Sequence, residues 1–507
     1  MDVAYTVLPR GTVYVEGSTI AAVQDAAQPP PPAFAGIVPT DTGGSIYPGL
    51  IELHNHLSYN ALRLWEVPKR YGDRSQWSGT AQYQELVTQP MKTLGTNTAV
   101  VPALVRYVEC KCLMGGVTTS QGIALFSDAG IRRFYKGILR VTEATSDPAL
   151  PEAGTRIADV VAKDRQAFLT EIGKRPCFLL HLSEGTDAAA RAHFQALQFP
   201  DGTWALAGSL AGIHSVALQA QDFAVMAAHG AAMVWSPLSN LLLYGGTADV
   251  AAARAAGVAV GIGSDWAPSG SKNLLGELKV ARIYAQNAGL PLADRDLVAM
   301  ATRDAAAILR WHKALGSIEA GKRADLLVVD GAAGDPYAGL ISATEASIAL
   351  VAIDGVPRFG RPDLMVALGA SGEAVTVAGR AKMLYLTQSD EDPAVAAFTL
   401  SAARATLAAE LAGTPLPPPL APAEGEAWKL ALDELGGTGM SMRPMLEAPG
   451  NQPTSADPAP PEALAGLPPV TLELDPLTVP DDSQILTRLA AEPNLPGYLA
   501  ADLSAMY

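Results

Sequence analysis

The sequence predicts an α/β protein: a (β/α)8 TIM barrel, a small β domain built from segments on both sides of it, and an acidic, Pro-rich C-terminal extension. Three observations predict this. From residue 49 to about residue 315, short apolar runs alternate with Ala-rich helical segments. Strand–helix alternation over about 265 residues is the pattern of a parallel sheet long enough to close into a barrel. Strand-like segments flank that region on either side, and beyond residue 388 the composition turns acidic and rich in proline.

Residues 1–48 are the first part of the small β domain. Residues 12–23 alternate as two strands about a bend at Glu16-Gly17, and Pro29 to Pro32 mark a loop. The barrel, residues 49–315, carries apolar runs at 116–119, 177–180, 212–213, 232–235 and 258–263, with helices expected at 104–113, 187–197, 220–229 and 250–256. Residues 316–387 complete the β domain through strands at 324–330 and 348–355, paired in this reading with the N-terminal strands of residues 11–23. The extension, residues 388–507, holds 4 Lys/Arg against 17 Asp/Glu, so −13 of the net charge of −15 lies there, along with 18 of the 38 prolines. That composition predicts extended chain, with helical stretches at 392–411 and 483–491.

A chain of 507 residues, 49% hydrophobic and 17% charged, can bury a large core in about two or three domains. The acidic balance argues against nucleic acid or an anionic membrane as partner, since both reward a basic surface. No apolar stretch of about 18 residues is present to span a membrane. Cys110, Cys112 and Cys177 make no disulfide framework, and Cys110-x-Cys112 has no companion pair, so buried thiols are expected. The opening Met1-Asp2-Val3-Ala4-Tyr5 lacks a secretory pattern. A cytoplasmic enzyme acting on a small molecule is the expectation, and a homo-oligomer is compatible with it.

The chemistry begins at His54-Asn55-His56, which ends the strand-like run Ile46–Leu53. Residues i and i+2 of a strand face the same side, so both imidazoles can reach one ion. His181 follows Phe178-Leu179-Leu180, with Glu184 three residues on; His214 follows Gly212-Ile213; Asp265 ends the strongest strand, in Gly263-Ser264-Asp265. Parallel-barrel strands converge at their C-terminal ends, where such folds place their sites. Five metal-type residues at strand ends, in a chain with only 7 His, point to a metal site. His193, His229 and His312 fall in or after helices and read as structural. Tyr59, Trp65, Tyr71, Trp77 and Trp266 are candidates to line a pocket.

The chain resembles the amidohydrolase superfamily, in the branch of cytosine, guanine and methylthioadenosine deaminases and triazine chlorohydrolases. The resemblance spans roughly residues 11–355 and rests on Pro48-Gly49-Leu50-Ile51-Glu52-Leu53-His54-Asn55-His56, Gly116-Val117-Thr118-Thr119, His181-Leu182-Ser183-Glu184, His214, Ser236-Pro237-Leu238-Ser239-Asn240, Gly263-Ser264-Asp265 and Gly316–Leu326. It implies that the small domain is a β-sandwich. It further implies that His54, His56, His181 and Asp265 hold one divalent ion, zinc ahead of iron. Glu184 would then carry protons and His214 orient water and polarise substrate, with Asp265 also able to accept a proton. Two motifs depart from the family: Trp235 stands where His is usual, and Gly-Ser-Asp replaces Gly-Thr-Asp. Binuclear members carry a bridging Lys or Glu on the fourth strand, for which Lys136 and Glu143 are the candidates here. The expected reaction is hydrolysis at an sp² carbon bearing nitrogen, foremost deamination of an amino-substituted heterocycle. Amide, cyclic amide or urea hydrolysis is the alternative, and a non-catalytic scaffold with a vestigial site the distant one.

Overall fold

The apolar runs of the central region become eight parallel strands, their short length set by the turn residues that bound them. The computed structural model describes residues 2, 4–97, 99–122, 137–145, 147–331, 334–413 and 472–507. Leu50–Glu52, Val117–Ser120 and Arg140–Val141 make a three-stranded parallel sheet. Gly154–Arg156, Phe178–Leu182, Leu210–His214, Ala232–Trp235 and Ala259–Ile262 make a five-stranded one. Backbone hydrogen bonds bridge the two sheets on both sides. The Ala153 N–H donates to the Thr142 carbonyl at 2.9 Å, and at the opposite seam the Asp265 N–H donates to the His54 carbonyl at 3.0 Å. The second seam positions the site, because it ties the end of the first parallel strand to the end of the last.

The Ala-rich segments form helices at Ala188–Gln195, Ala220–Ala228 and Val250–Ala255, a residue or two shorter than their periodicity suggests, as fraying helix ends are. Val101–Met114 is buried along its whole length. It keeps Arg106 inside by pairing it with Glu109 and Glu391 at 3.3 and 2.7 Å. Among the described residues no helix is long and apolar enough to cross a membrane.

Flanking segments meet in a six-stranded antiparallel sheet, ordered Glu373–Val377, Arg380–Leu384, Val356–Gly360, Ile348–Ile353, Leu326–Asp330, Gly44–Pro48. The strand that joins from the N-terminal side is thus Gly44–Pro48, not residues 11–23. Gly11–Glu16 and Thr19–Asp25 form a separate hairpin, which touches the larger sheet through Ile20 N–H to the Lys322 carbonyl (2.8 Å) and Ala324 N–H to the Ser18 carbonyl (2.9 Å). Tether length explains the difference. One residue, Gly49, separates Gly44–Pro48 from the parallel strand Leu50–Glu52, so closing that pairing sacrifices little chain entropy. It occupies the edge that the hairpin would otherwise take.

Within the acidic extension, Pro393–Ala396 and Leu400–Leu411 are helical, the second capped by the Thr399 side chain. Ile485–Ala491 and Gly497–Ser504 follow near the end. Val479, Ile485, Leu489, Leu499 and Leu503 are buried in the main hydrophobic core. Of the extension's other apolar residues Trp428, Leu430, Leu432, Leu464, Leu467 and Leu472, the last packs partly buried against that core, and the first five lie outside the described residues.

Candidate metal and active site

Four strand ends deliver the site. His54 and His56 leave Leu50–Glu52, His181 lies within Phe178–Leu182, His214 ends Leu210–His214, and Asp265 follows Ala259–Ile262. Gly263 is required beside them: a Cβ there would meet His54 Cβ at 2.6 Å and its backbone N at 2.6 Å. Ser183, His214, Ser215 and Asp265 all adopt positive φ, from 50° to 66°. Non-glycine residues rarely do so, and such strain gathers where the chain must turn side chains into a site.

The structure brings all six predicted residues together. His54, His56 and Asp265 form one cluster of potential ligand atoms within 4.8 Å of one another, and His54, His181 and His214 a second. Asp265 Oδ1 lies 3.0 Å from His54 Nε2 and 3.5 Å from His56 Nε2, while Ser239 donates to Oδ2 at 2.6 Å. His56 Nε2 and His181 Nε2 stand 3.2 Å apart. All are buried, none more than 7% exposed. Burial and the neighbouring imidazoles hold His181 well below the ordinary histidine pKa, keeping it neutral. Burial works against ionising Asp265, but the facing imidazoles of His54, His214 and His56 together outweigh it and hold the carboxylate well below its usual range.

Hydrogen-bond direction fixes which nitrogens present lone pairs. His54 Nδ1 lies 2.7 Å from Gln121 Oε1, an acceptor, so Nδ1 carries the proton and Nε2 turns its lone pair into the cluster. Among the described residues Asp265 Oδ1, at 3.0 Å, is the oxygen that faces His54 Nε2. For His214 the chain of donors runs the other way. Trp235 Nε1 donates to Thr247 Oγ1 at 2.7 Å, Thr247 donates to Asn240 Oδ1 at 3.1 Å, and Asn240 Nδ2 lies 3.0 Å from His214 Nδ1. Indole N–H and amide NH₂ can only donate, so His214 Nδ1 accepts and its Nε2 carries the hydrogen. Trp235, the departure from the family motif, starts this chain. The His54 lone pair and the converging Nε2 atoms of His56 and His181, beside an ionised carboxylate, are the donor set that a divalent cation such as zinc takes. The His214 N–H is not part of that set.

Glu184 completes the site. Burial raises its carboxyl to a pKa of about 7, against the pull of Arg74. Its Oε2 is 3.7 Å from His214 Nε2 and 4.0 Å from Arg74 Nε. A cavity opens over the cluster, walled by Arg74, Trp77, Ile157, Leu243 and Trp266. Of the aromatic candidates, Trp77 and Trp266 line it, whereas Tyr59, Trp65 and Tyr71 are buried in the packing around it. Glu143 accepts from the Gly122 N–H, Thr142 and Thr155 at 3.0, 2.9 and 3.0 Å. It is linked to the cluster through Thr155 and Gln121, whose Nε2 donates to Thr155 at 3.3 Å. Lys136 lies outside the described residues.

Gln121 and Arg74 are site residues that the sequence reading passed over, while Ser239 and Asn240 entered it as part of a motif without an assigned role. Gln121 stands directly after Val117–Ser120, and that strand-end position is the signal that marks the histidines too.

The amidohydrolase family pattern matches residues 181–358. The chain is 30% identical over 368 residues to the 5-methylthioadenosine/S-adenosylhomocysteine deaminase of Symbiobacterium thermophilum, covering 64% of this chain and 81% of that protein. Among solved structures it is similar to a mutant atrazine chlorohydrolase from Arthrobacter aurescens TC1 complexed with zinc and atraton. That similarity has a TM-score of 0.55 and 20% identity, over 68% of this chain and 89% of the other. An adenosine deaminase from Xanthomonas campestris with bound zinc gives a TM-score of 0.52 and 22% identity, over 70% and 89% of the two chains. The two solved structures speak for a fold of TIM-barrel type.

Proposed function

The chain belongs to the amidohydrolase family, as a hydrolase of carbon–nitrogen bonds, and from that premise we propose that it deaminates an amino-substituted heterocycle through one divalent ion, zinc ahead of iron. The observation that supports this reading is the convergence of His54, His56, His181 and Asp265 in a buried cluster beside Glu184, whose carboxyl is tuned to a pKa of about 7. These four groups would hold the ion, which when bound would supply a water with its pKa lowered to about 7. Glu184 takes a proton from the attacking water and returns it to the departing nitrogen. The His214 Nε2–H donates to the substrate and polarises the carbon under attack. Trp77 and Trp266 offer flat apolar faces to an aromatic ring. One ion rather than two is part of the proposal, since the Glu143 oxygens are taken by Gly122, Thr142 and Thr155. The same reading takes the eight parallel strands as one closed barrel, supported by the hydrogen bonds at both seams.

The test is ammonia release by the zinc-loaded protein from a panel of 5-methylthioadenosine, S-adenosylhomocysteine, adenosine, guanine and aminotriazines. Ammonia from at least one member, absent in metal-free protein, is expected. Turnover confined to amides or ureas would replace deamination with the alternative chemistry.

A further inference from the structure

Glu184 has a partner that the sequence does not single out. Tyr244 is the last residue of the helix Pro237–Tyr244 and is 3% exposed. Its hydroxyl lies 2.9 Å from Trp77 Nε1 and 2.7 Å from Glu184 Oε1. An indole N–H is a donor only. Trp77 therefore fills the acceptor side of the hydroxyl, and the phenol's own hydrogen points at Glu184. Burial, reinforced by the Glu184 charge, raises the Tyr244 pKa well above its ordinary value, so the phenol stays protonated. With Oε1 capped in this way, Oε2 is the oxygen that faces His214 Nε2 at 3.7 Å. The loop bearing Trp77 is tied to the same helix, since the Tyr71 N–H donates to the Leu243 carbonyl at 3.0 Å.

We propose that Tyr244 is a positioning residue that locks Glu184 by hydrogen bonding to Oε1 and so assigns proton transfer to Oε2, with Trp77 setting the direction of that bond. The inference rests on the reading of Glu184 as proton carrier. Tyr244 keeps its own proton throughout: Oε2 takes the hydrogen from the water and gives it to the leaving nitrogen, and Oε1 remains the acceptor. Trp77 also walls the substrate cavity, so the same indole that packs on the ring holds the carboxylate in place.

A double-mutant cycle reads this directly, measured on whichever member of the panel the wild type deaminates. Tyr244→Phe keeps the ring and removes the hydroxyl. Its kcat should fall by roughly 10- to 100-fold, the range for a hydrogen bond to a charged group, with KM and zinc content unchanged. In a Glu184→Gln background the same change should cause no further loss, because the hydroxyl acts only through that carboxylate. Trp77→Phe, which keeps a ring but loses the N–H, should lower kcat by less than Tyr244→Phe. Wild-type kcat in Tyr244→Phe, additive losses in the double variant, or loss of zinc from Tyr244→Phe would each overturn the proposal. Full activity in Glu184→Gln would instead remove the reading on which it stands.

Discussion

Glu184 and Asp265 lie in one buried pocket, yet their surroundings drive them apart: burial lifts the first to a pKa of about 7, while the facing imidazoles hold the second ionised. Two carboxyls pushed in opposite directions suit a proton carrier and a ligand. Glu184→Gln should therefore lower kcat by about 10²–10⁴-fold while zinc content stays at the wild-type level. His214→Asn should behave similarly. Asp265→Asn should lose zinc and activity together, because it removes the one anionic group of the cluster. Metal analysis beside steady-state kinetics separates the two patterns, and zinc loss from Glu184→Gln would make that residue a ligand. These residues were legible in the sequence because histidine is scarce and each one stands at the end of an apolar run. Gln121 and Tyr244 were not, and Asn240 stood in a motif without a role, because common polar side chains acquire their roles only from three-dimensional hydrogen-bond direction, which spacing does not encode.

At the scale of elements, the loop after His56 and the loop after Asp265 are held from behind by the C-terminal segment. Asp475, 1% exposed, accepts from both Lys111 and Lys272, and its N–H donates to the Ala61 carbonyl at 2.9 Å. Lys111 also donates to the Asn60 carbonyl at 2.8 Å, and Asn60 donates to Asn55 Oδ1 at 2.9 Å, between the two histidines. Burial lowers Lys111 to a pKa of about 8 despite the Asp475 charge. Asp475→Asn leaves the buried Lys111 ammonium facing a neutral amide, while Lys272 keeps Asp482 Oδ2 at 2.8 Å, and should destabilise the fold by about 3–5 kcal/mol. Denaturant titration checks this, and an unchanged midpoint would mean that the segment merely rests on the body. Acidic, proline-rich composition pointed to extended chain apart from 392–411 and 483–491; Ile485–Ala491 falls on the second of these stretches, whereas Gly497–Ser504 is a helix that composition did not mark. Composition averages over a segment, whereas a few apolar anchors and one buried carboxylate decide where it docks. The same limit applied to the N-terminal hairpin. Its strands were visible as alternation, but which edge they meet depends on competition from Gly44–Pro48 elsewhere in the chain.

The whole molecule stores several buried acids, and they tie its stability to pH. Burial raises Glu277 from its ordinary 4.5 to a pKa of about 8; its Oε1 accepts the Leu238 N–H at 3.0 Å. Glu52 and Glu109 are raised in the same direction, to about 8 and about 7. Between pH 4.5 and 8 the folded state holds a proton that the unfolded chain has released, so stability falls as pH rises through that window. Glu277→Gln should flatten the fall by up to about 1.4 kcal/mol per pH unit. Identical slopes in the two proteins would show that Glu277 ionises freely in the fold. An ion on the proposed ligands would couple to folding by the same linkage. The four proposed ligands come from three separate strand ends, so only the native chain assembles them. An ion that binds the native state alone, at a free concentration about 1,000 times its Kd, adds about 4 kcal/mol. The expected stoichiometry is about one zinc per chain. Chelation should lower the melting temperature of the wild type, and zinc should restore it. His56→Ala should melt at the same temperature with or without chelator, since its cluster is already broken. A chelator-insensitive wild type would mean that the four groups hold no ion, and nearly two equivalents per chain would call for a second site bridged by Glu143 or Lys136.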